Sequence, residues 1–257
     1  MNSTERFSGL ADIYAASRPS YPVEAIDFIV QACGLTKQSL VVDVGCGTGI
    51  STRLFEQRGF AVVGIEPNED MRSAAIRDSI RVVGESDANA SKYCSGTAEN
   101  TGLANECADL VLCAQAFHWF DANKALAEFQ RILKPGGHVV LMWNERNEVD
   151  DLTRGYGDLF RQIPETAKVE MRRGIAGEPL LQSMLFSNAA RTNFAFSQRV
   201  DLSGLLGRAF SASYAPKEGA SAEALRAGLT ALFEQSQVDG FADLQYETSV
   251  FIAERKV

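Results

Sequence analysis

The chain is poor in the residues that most often bind metals or close disulfides. Its 257 residues hold two histidines, His118 and His138, and five cysteines at 33, 46, 94, 107 and 113. No two cysteines form a Cys-x-x-Cys pair, so metal-site spacing is absent and no metal is expected. An odd cysteine number without an export signal points to free thiols, most of them buried small residues. No run of eighteen apolar residues occurs, and the opening Met1-Asn-Ser-Thr-Glu-Arg6 is polar, so neither a membrane span nor a signal-peptide core is expected and the location expected is the cytoplasm. Basic residues are in the minority: 25 Lys and Arg face 33 Asp and Glu, a net charge of −8. That argues against broad binding to nucleic acid or to an anionic membrane, either of which needs a basic face.

What is present is an ordinary globular composition, 46% hydrophobic and 23% charged, in a chain long enough for one large α/β domain or a domain with a smaller cap. The most informative stretch is 40–52. Leu40, Val41, Val42 and Val44 form a continuous, mostly β-branched run, suited to a parallel strand covered on both faces. Glycines follow at 45, 47 and 49, and Ile50, Leu54 and Phe55 then fall at helical spacing. A strand, a glycine turn and a helix N-terminus place bare backbone N–H groups beside the crevice at the strand's carboxyl end. A dinucleotide fingerprint needs a third glycine at position 50, which is Ile, and a P-loop needs a lysine that the turn lacks. Nicotinamide and nucleoside triphosphate are thereby disfavoured. Phe60-Ala-Val-Val-Gly-Ile-Glu66 reads as the next buried strand, with Glu66 about twenty residues past the first glycine, where such folds put an acid that accepts from ribose hydroxyls.

Asp43-Val-Gly-Cys-Gly-Thr-Gly49 resembles the first motif of the class I methyltransferases that use S-adenosylmethionine. The resemblance covers about residues 7 to 143. It implies that Asp43, Gly45, Cys46, Gly47, Thr48 and Gly49 form the cofactor loop, that Glu66 takes the ribose, and that Pro67 and Met71 pack on the adenine. Cys46 has two readings, a thiolate favoured by a helix N-terminus or a small residue that fits a tight turn. Gly96-Thr97-Ala98-Glu99 stands where many relatives place an acid and Ala to read the adenine amino group. Thr97 departs from that pattern, leaving Glu99 or the backbone at Ala98 to do the reading. Ala114-Gln-Ala-Phe-His-Trp-Phe-Asp121 closely resembles the type 11 small-molecule subgroup that includes trans-aconitate-like enzymes. That likeness implies that Gln115, Ala116, His118 and Trp119 border the methionine part and the substrate mouth. Tyr14-Ala-Ala-Ser-Arg-Pro-Ser-Tyr21 is similar to the lid of the same subgroup, with Arg18 placed for the cofactor carboxylate and Tyr14 and Tyr21 as lid surface.

Helix and strand patterns alternate from about 24 to 144, the signature of a doubly wound sheet. Strands are expected at 40–44, 61–65, 91–95, 108–113 and 138–143, with helices at 23–32, about 51–58, about 68–77 and 123–133. Pro135-Gly-Gly137 stops the last helix, and Ile80 to Val83 either continues a helix or begins a strand. Residues 145–190 read as a helical insertion over the pocket. Residues 191–257 complete the sheet with strands at 191–200 and 246–253 around a helix at 221–234. The fold class expected is α/β, a mostly parallel seven-stranded Rossmann-like sheet: residues 1–144 as cofactor-binding core with N-terminal lid, 145–190 as substrate cap, 191–257 as the closing part of the same sheet.

The resemblance implies a methyltransferase that uses S-adenosylmethionine, releases S-adenosylhomocysteine and acts on a small-molecule acceptor through an O-, N- or C-nucleophile, a carboxylate among the candidates, as a monomer or homodimer and with no nucleic acid or membrane partner. His118 is the general base the sequence offers if the acceptor must lose a proton, and its other reading is as packing for the loop. A methyltransferase of macromolecules, a cofactor-binding sensor without catalysis and a dehydrogenase stay open as alternatives.

Overall fold

The structure is a computed structural model and describes residues 18–84, 92–164, 166, 177–212 and 214–256. Helix and strand alternate through α1 (Val23–Ala32), β1 (Leu40–Val44), α2 (Ile50–Glu56), β2 (Ala61–Ile65), α3 (Glu69–Val83), β3 (Lys92–Cys94), β4 (Ala108–Ala114), α4 (Ala122–Ile132) and β5 (Leu133–Arg146). The chain then forms α5 (Asp151–Arg161), a short α6 (Glu178–Leu181), β6 (Phe186–Val200), α7 (Leu202–Phe210), α8 (Gly219–Ser236) and β7 (Ala242–Arg255). The strands make one seven-stranded sheet in the order β3-β2-β1-β4-β5-β7-β6. Strands β1 to β5 pair in parallel, and β7 lies antiparallel between β5 and β6. The doubly wound, mostly parallel seven-stranded sheet expected from the pattern is the one observed.

The continuous apolar run of β1 is explained by burial on both faces. Val42 and Val44 join the core beneath α4 with Phe129 and Ile132, whereas Val41 joins the opposite core with Ile26 and Ile29 of α1. Strand order reverses between β1 and β4, which opens a crevice at their carboxyl ends, the place where folds of this kind bind ligands. Side-chain caps set several helix starts: Asn68 accepts from Met71 N, Asp121 from Lys124 N, Asp150 from Thr153 N and Asp201 from Gly204 N.

Several boundaries differ from the pattern reading. Of the two readings of Ile80 to Val83 the helix is the one observed, with α3 running on to Val83, while β5 begins at Leu133 instead of His138. The Pro-Gly-Gly turn is a bulge inside β5: Leu133 pairs with Ala108 and His138 with Leu110, and a Cβ on Gly137 would meet Asp109 O at 3.1 Å. Strand β6 begins at Phe186, upstream of residue 191. Within 145–190, α5 packs on α8 and β7. Its Leu152, Tyr156 and Phe160 join Leu205, Leu225, Leu229, Phe233 and Tyr246 in a third core, set apart from the two that sandwich the parallel strands.

Candidate active site

The loop after β1 is shaped from beneath. Gly45 and Gly47 have φ of +71° and +56°, a region L side chains rarely adopt. A Cβ on Gly45 would come within 2.7 Å of Ala116 Cβ, while Gly47 faces open space. Asp43, placed in the ligand loop by the motif, is fully buried and is not among the residues that line the cleft. Its Oδ2 instead accepts from Ser51 Oγ and Thr52 Oγ1, each at 2.7 Å, which fixes the first turn of α2 against the loop. Burial lifts the Asp43 carboxyl to about 6, helped by Glu66 and Glu56 nearby and opposed by the two hydroxyls.

Cys46 lines the cleft, but its side chain is buried and its Sγ would lie 2.9 Å from a Cβ on Gly64, so the absent Cβ there makes room for it. Burial pushes this thiol well above its ordinary range, with Asp43 and Glu66 adding to the effect, which favours the small inert residue over the reactive thiolate. Gly49 sits behind the loop, facing Ala75, Tyr93 and Arg53. Thr48 is 1% exposed and lines the cleft, and its Oγ1 has no hydrogen-bond partner among the described residues.

Glu66 ends β2 on the same cleft, and its carboxylate is bonded to the glycine loop. Oε2 accepts from Gly47 N at 3.0 Å and Oε1 from Asn68 N at 2.9 Å. Burial raises its pKa while these two backbone donors and Arg72 pull it down. Pro67, Asn68 and Met71 continue this wall.

The opposite wall comes from the ends of β4 and β5 and from two distant segments. Gln115 holds a positive φ of 57°, a strained conformation for a non-glycine residue, and its Nε2 donates to Asn144 O at 3.1 Å. Asn144 Nδ2 donates to Ser20 O at 2.8 Å and its Oδ1 accepts from Thr248 Oγ1 at 2.6 Å, so one side chain ties the N-terminal segment to the sheet. Arg18 lines the cleft and donates to Ser211 O at 3.3 Å, joining that segment to the end of α7. Pro19, Tyr21, Ala114, Ala116, Trp119 and Phe120 complete this wall, with Arg208 of α7.

Some expected residues have other places. Thr97 closes a tight turn with Asn100, Ala98 packs in the core, and Glu99 accepts from Asp121 N at 3.0 Å; none of the three lines the cleft. His118 is exposed on the 3-10 turn Phe117–Trp119, its ring 4.9 Å from that of Trp119, and it too lies off the cleft lining. Tyr14 lies outside the described residues. Sequence reasoning missed Asn68, Phe120, Asn144 and Arg208. Asn68 and Phe120 carried a local signal, the first as the cap residue right after Glu66-Pro67 and the second within the run from Ala114 to Asp121.

Residues 42–141, the stretch holding the glycine loop, Glu66 and the Gln115 turn, match the model of the methyltransferase domain family. By that match, residues 42–141 are similar to a methyltransferase domain. A methyltransferase of Mycobacterium tuberculosis, itself uncharacterized, is 37% identical over 158 residues, 60% of this chain and 58% of that protein. Malonyl-(acyl-carrier protein) O-methyltransferase of Pectobacterium atrosepticum is 29% identical over 117 residues, 45% of this chain and 43% of that protein. The chain thus matches about half the length of these curated relatives, 58% of the first and 43% of the second. Among solved structures, a methyltransferase from Anaeromyxobacter dehalogenans has a TM-score of 0.65 at 20% identity, over 93% of this chain and 97% of its own. Geranyl diphosphate methyltransferase in complex with S-adenosylmethionine has a TM-score of 0.52 at 15% identity, over 91% and 85%. At these identities the structural likeness concerns the fold.

Proposed function

We propose that this cleft holds S-adenosylmethionine and that the protein transfers its methyl group to a small-molecule acceptor. The observation that carries the reading is the joining of Glu66 to Gly47 on one cleft. An ionised carboxylate offers about four acceptor sites, and Glu66 spends two of them on backbone N–H groups, which leaves capacity for two vicinal ribose hydroxyls. Pro67 and Met71 give an apolar face for adenine beside it. Thr48 Oγ1, buried and unpartnered, is one further polar atom that a bound ligand would satisfy. Ile50, on the lining, fills the place a dinucleotide fold reserves for glycine. Arg18 is the cation for the cofactor carboxylate.

When bound, the sulfonium supplies an already activated methyl group, so the protein's part is to hold a nucleophile in line and to keep water out. Trp119 and Phe120 cover the cleft at the end of β4, and Gln115 and Asn144 present fixed polar groups there. No metal is part of the proposal. The place of His118, exposed and off the lining, supports its packing reading beside Trp119 over general-base duty; a carboxylate acceptor, which needs no base, fits that arrangement. The narrower likeness to trans-aconitate-type enzymes belongs to this proposal.

Incubating the protein with methyl-labelled S-adenosylmethionine and a cell extract fractionated by size tests it. Label is expected in small metabolites. Label in protein or RNA would move the assignment to a macromolecule methyltransferase, and binding of S-adenosylhomocysteine without turnover on any fraction would make the protein a sensor.

A further inference from the structure

Arg208 stands apart from the other sheltered arginines. Arg53, Arg131, Arg146 and Arg255 each have a carboxylate within 4 Å, from Asp78, Glu128, Glu148 and Glu106. Arg208 is 5% exposed and lines the cleft, and its partner among the described residues is a phenol, with Nε donating to Tyr246 OH at 3.1 Å. Burial works against its charge, and the groups that favour it are the phenols of Tyr246, Tyr156 and Tyr214. A guanidinium taken out of water without an anion is costly, and proteins that retain one give it a partner.

The position says which ligand supplies that partner. Tyr246 pairs with Arg146, the last residue of β5, so Arg208 is anchored at the sheet edge that carries the cleft. Glu66 ends β2, and β1, β4 and β5 lie between it and β7. Arg208 thus faces the cleft from the opposite end of the strand order to the glycine loop and Glu66. Arg18, which donates to Ser211 O at 3.3 Å, is the cation proposed above for the cofactor carboxylate.

We propose that Arg208 is a specificity-determining residue that binds a carboxylate group of the methyl acceptor, with Tyr246 holding its guanidinium in plane. The assignment rests on the methyl-transfer reading above. Because Arg208 presents a planar fork that pairs with carboxylates in bidentate fashion, it selects acids over their neutral amides and esters.

The low-molecular-weight pool of a cell extract, divided by an anion exchanger and assayed with methyl-labelled S-adenosylmethionine, tests this with wild type, Arg208→Gln and Arg208→Lys. S-adenosylhomocysteine affinity is measured in parallel. Wild type is expected to label an acceptor from the retained, anionic pool. Arg208→Gln is expected to lower kcat/KM for that acceptor on the order of 100-fold, chiefly through KM, to keep S-adenosylhomocysteine affinity within about twofold, and to be rescued in part by Arg208→Lys. An acceptor in the unretained pool, an unchanged kcat/KM, or a parallel loss of S-adenosylhomocysteine affinity would each overturn the assignment. If Arg208→Gln does not fold, Tyr246→Phe, which leaves the guanidinium but removes its tether, is expected to raise KM about fivefold, and an unchanged KM would overturn the proposal. A wild type that binds S-adenosylhomocysteine but labels neither pool ends the methyl-transfer reading itself, and the acceptor role of Arg208 ends with it.

Discussion

The parallel and antiparallel halves of the sheet bury charge of opposite sign. Beside β1 and β2 the buried groups are carboxylates, and the protein supplies their donors: Ser51 and Thr52 to Asp43, and Gly47 and Asn68 N–H to Glu66. Beside β5 and β7 they are guanidiniums, and at Arg208 the protein supplies a phenol and no acid. Preorganised donors at the first end fix the loop before any ligand arrives, whereas the second end is completed by an anion from outside. One cleft can therefore keep a constant cofactor wall and an acceptor wall that depends on what enters.

The comparison breaks most visibly if the two halves prove to be one cooperative core around the ligand. Phe160, fully buried in the third core, is expected to cost ~3–5 kcal/mol of stability as Phe160→Ala, read by urea denaturation, while the folded fraction retains its S-adenosylhomocysteine affinity. A parallel loss of affinity would mean that the third core shapes the cofactor wall.

Asp43 gives the next effect, and it is pH-dependent. Its folded pKa, about 6, stands above the ordinary 3.8, so the stability it contributes is full below about pH 4 and is lost as pH rises through 6. Asp43→Asn keeps an oxygen acceptor without the charge. Its stability relative to wild type is expected to rise by about 2–3 kcal/mol between pH 4 and pH 7, and a difference that stays flat in urea titrations across this range would refute the buried-carboxyl account.

Glu66→Gln is expected to weaken S-adenosylhomocysteine binding 10- to 100-fold, about 1.5–3 kcal/mol, by calorimetry. The smallest effect falls on Arg18→Ala, a loss of about fivefold in the same titration. An unchanged affinity there would transfer the cofactor carboxylate to another donor.

How much of this was legible in the sequence depended on whether the signal was local. Strand β1 announced itself because burial on both faces demands a continuous apolar run, and the glycine loop because its backbone needs positive φ. Glu66 followed from the spacing such a fold imposes. At Asp43 the motif gives the position and not the direction, and on a strand that direction decides between cleft and interior. The same holds for Thr97, Ala98 and Glu99, which a tight turn places at the surface, in the core and on Asp121 N in that order. Arg208 and Asn144 gave no local sign, since each reaches the site through contacts more than thirty residues away along the chain, to Tyr246, Ser20 and Thr248. The third core was hidden as well, because the texture of residues 145–190 suggested a cap and not that α5 packs on α8.

A calorimetric titration of the protein with S-adenosylhomocysteine, with NAD as the control, tests the central claim most directly. One-to-one uptake of S-adenosylhomocysteine and none of NAD is predicted from Glu66 and Gly47 sharing one cleft. No heat from S-adenosylhomocysteine, or equal uptake of NAD, would contradict the account.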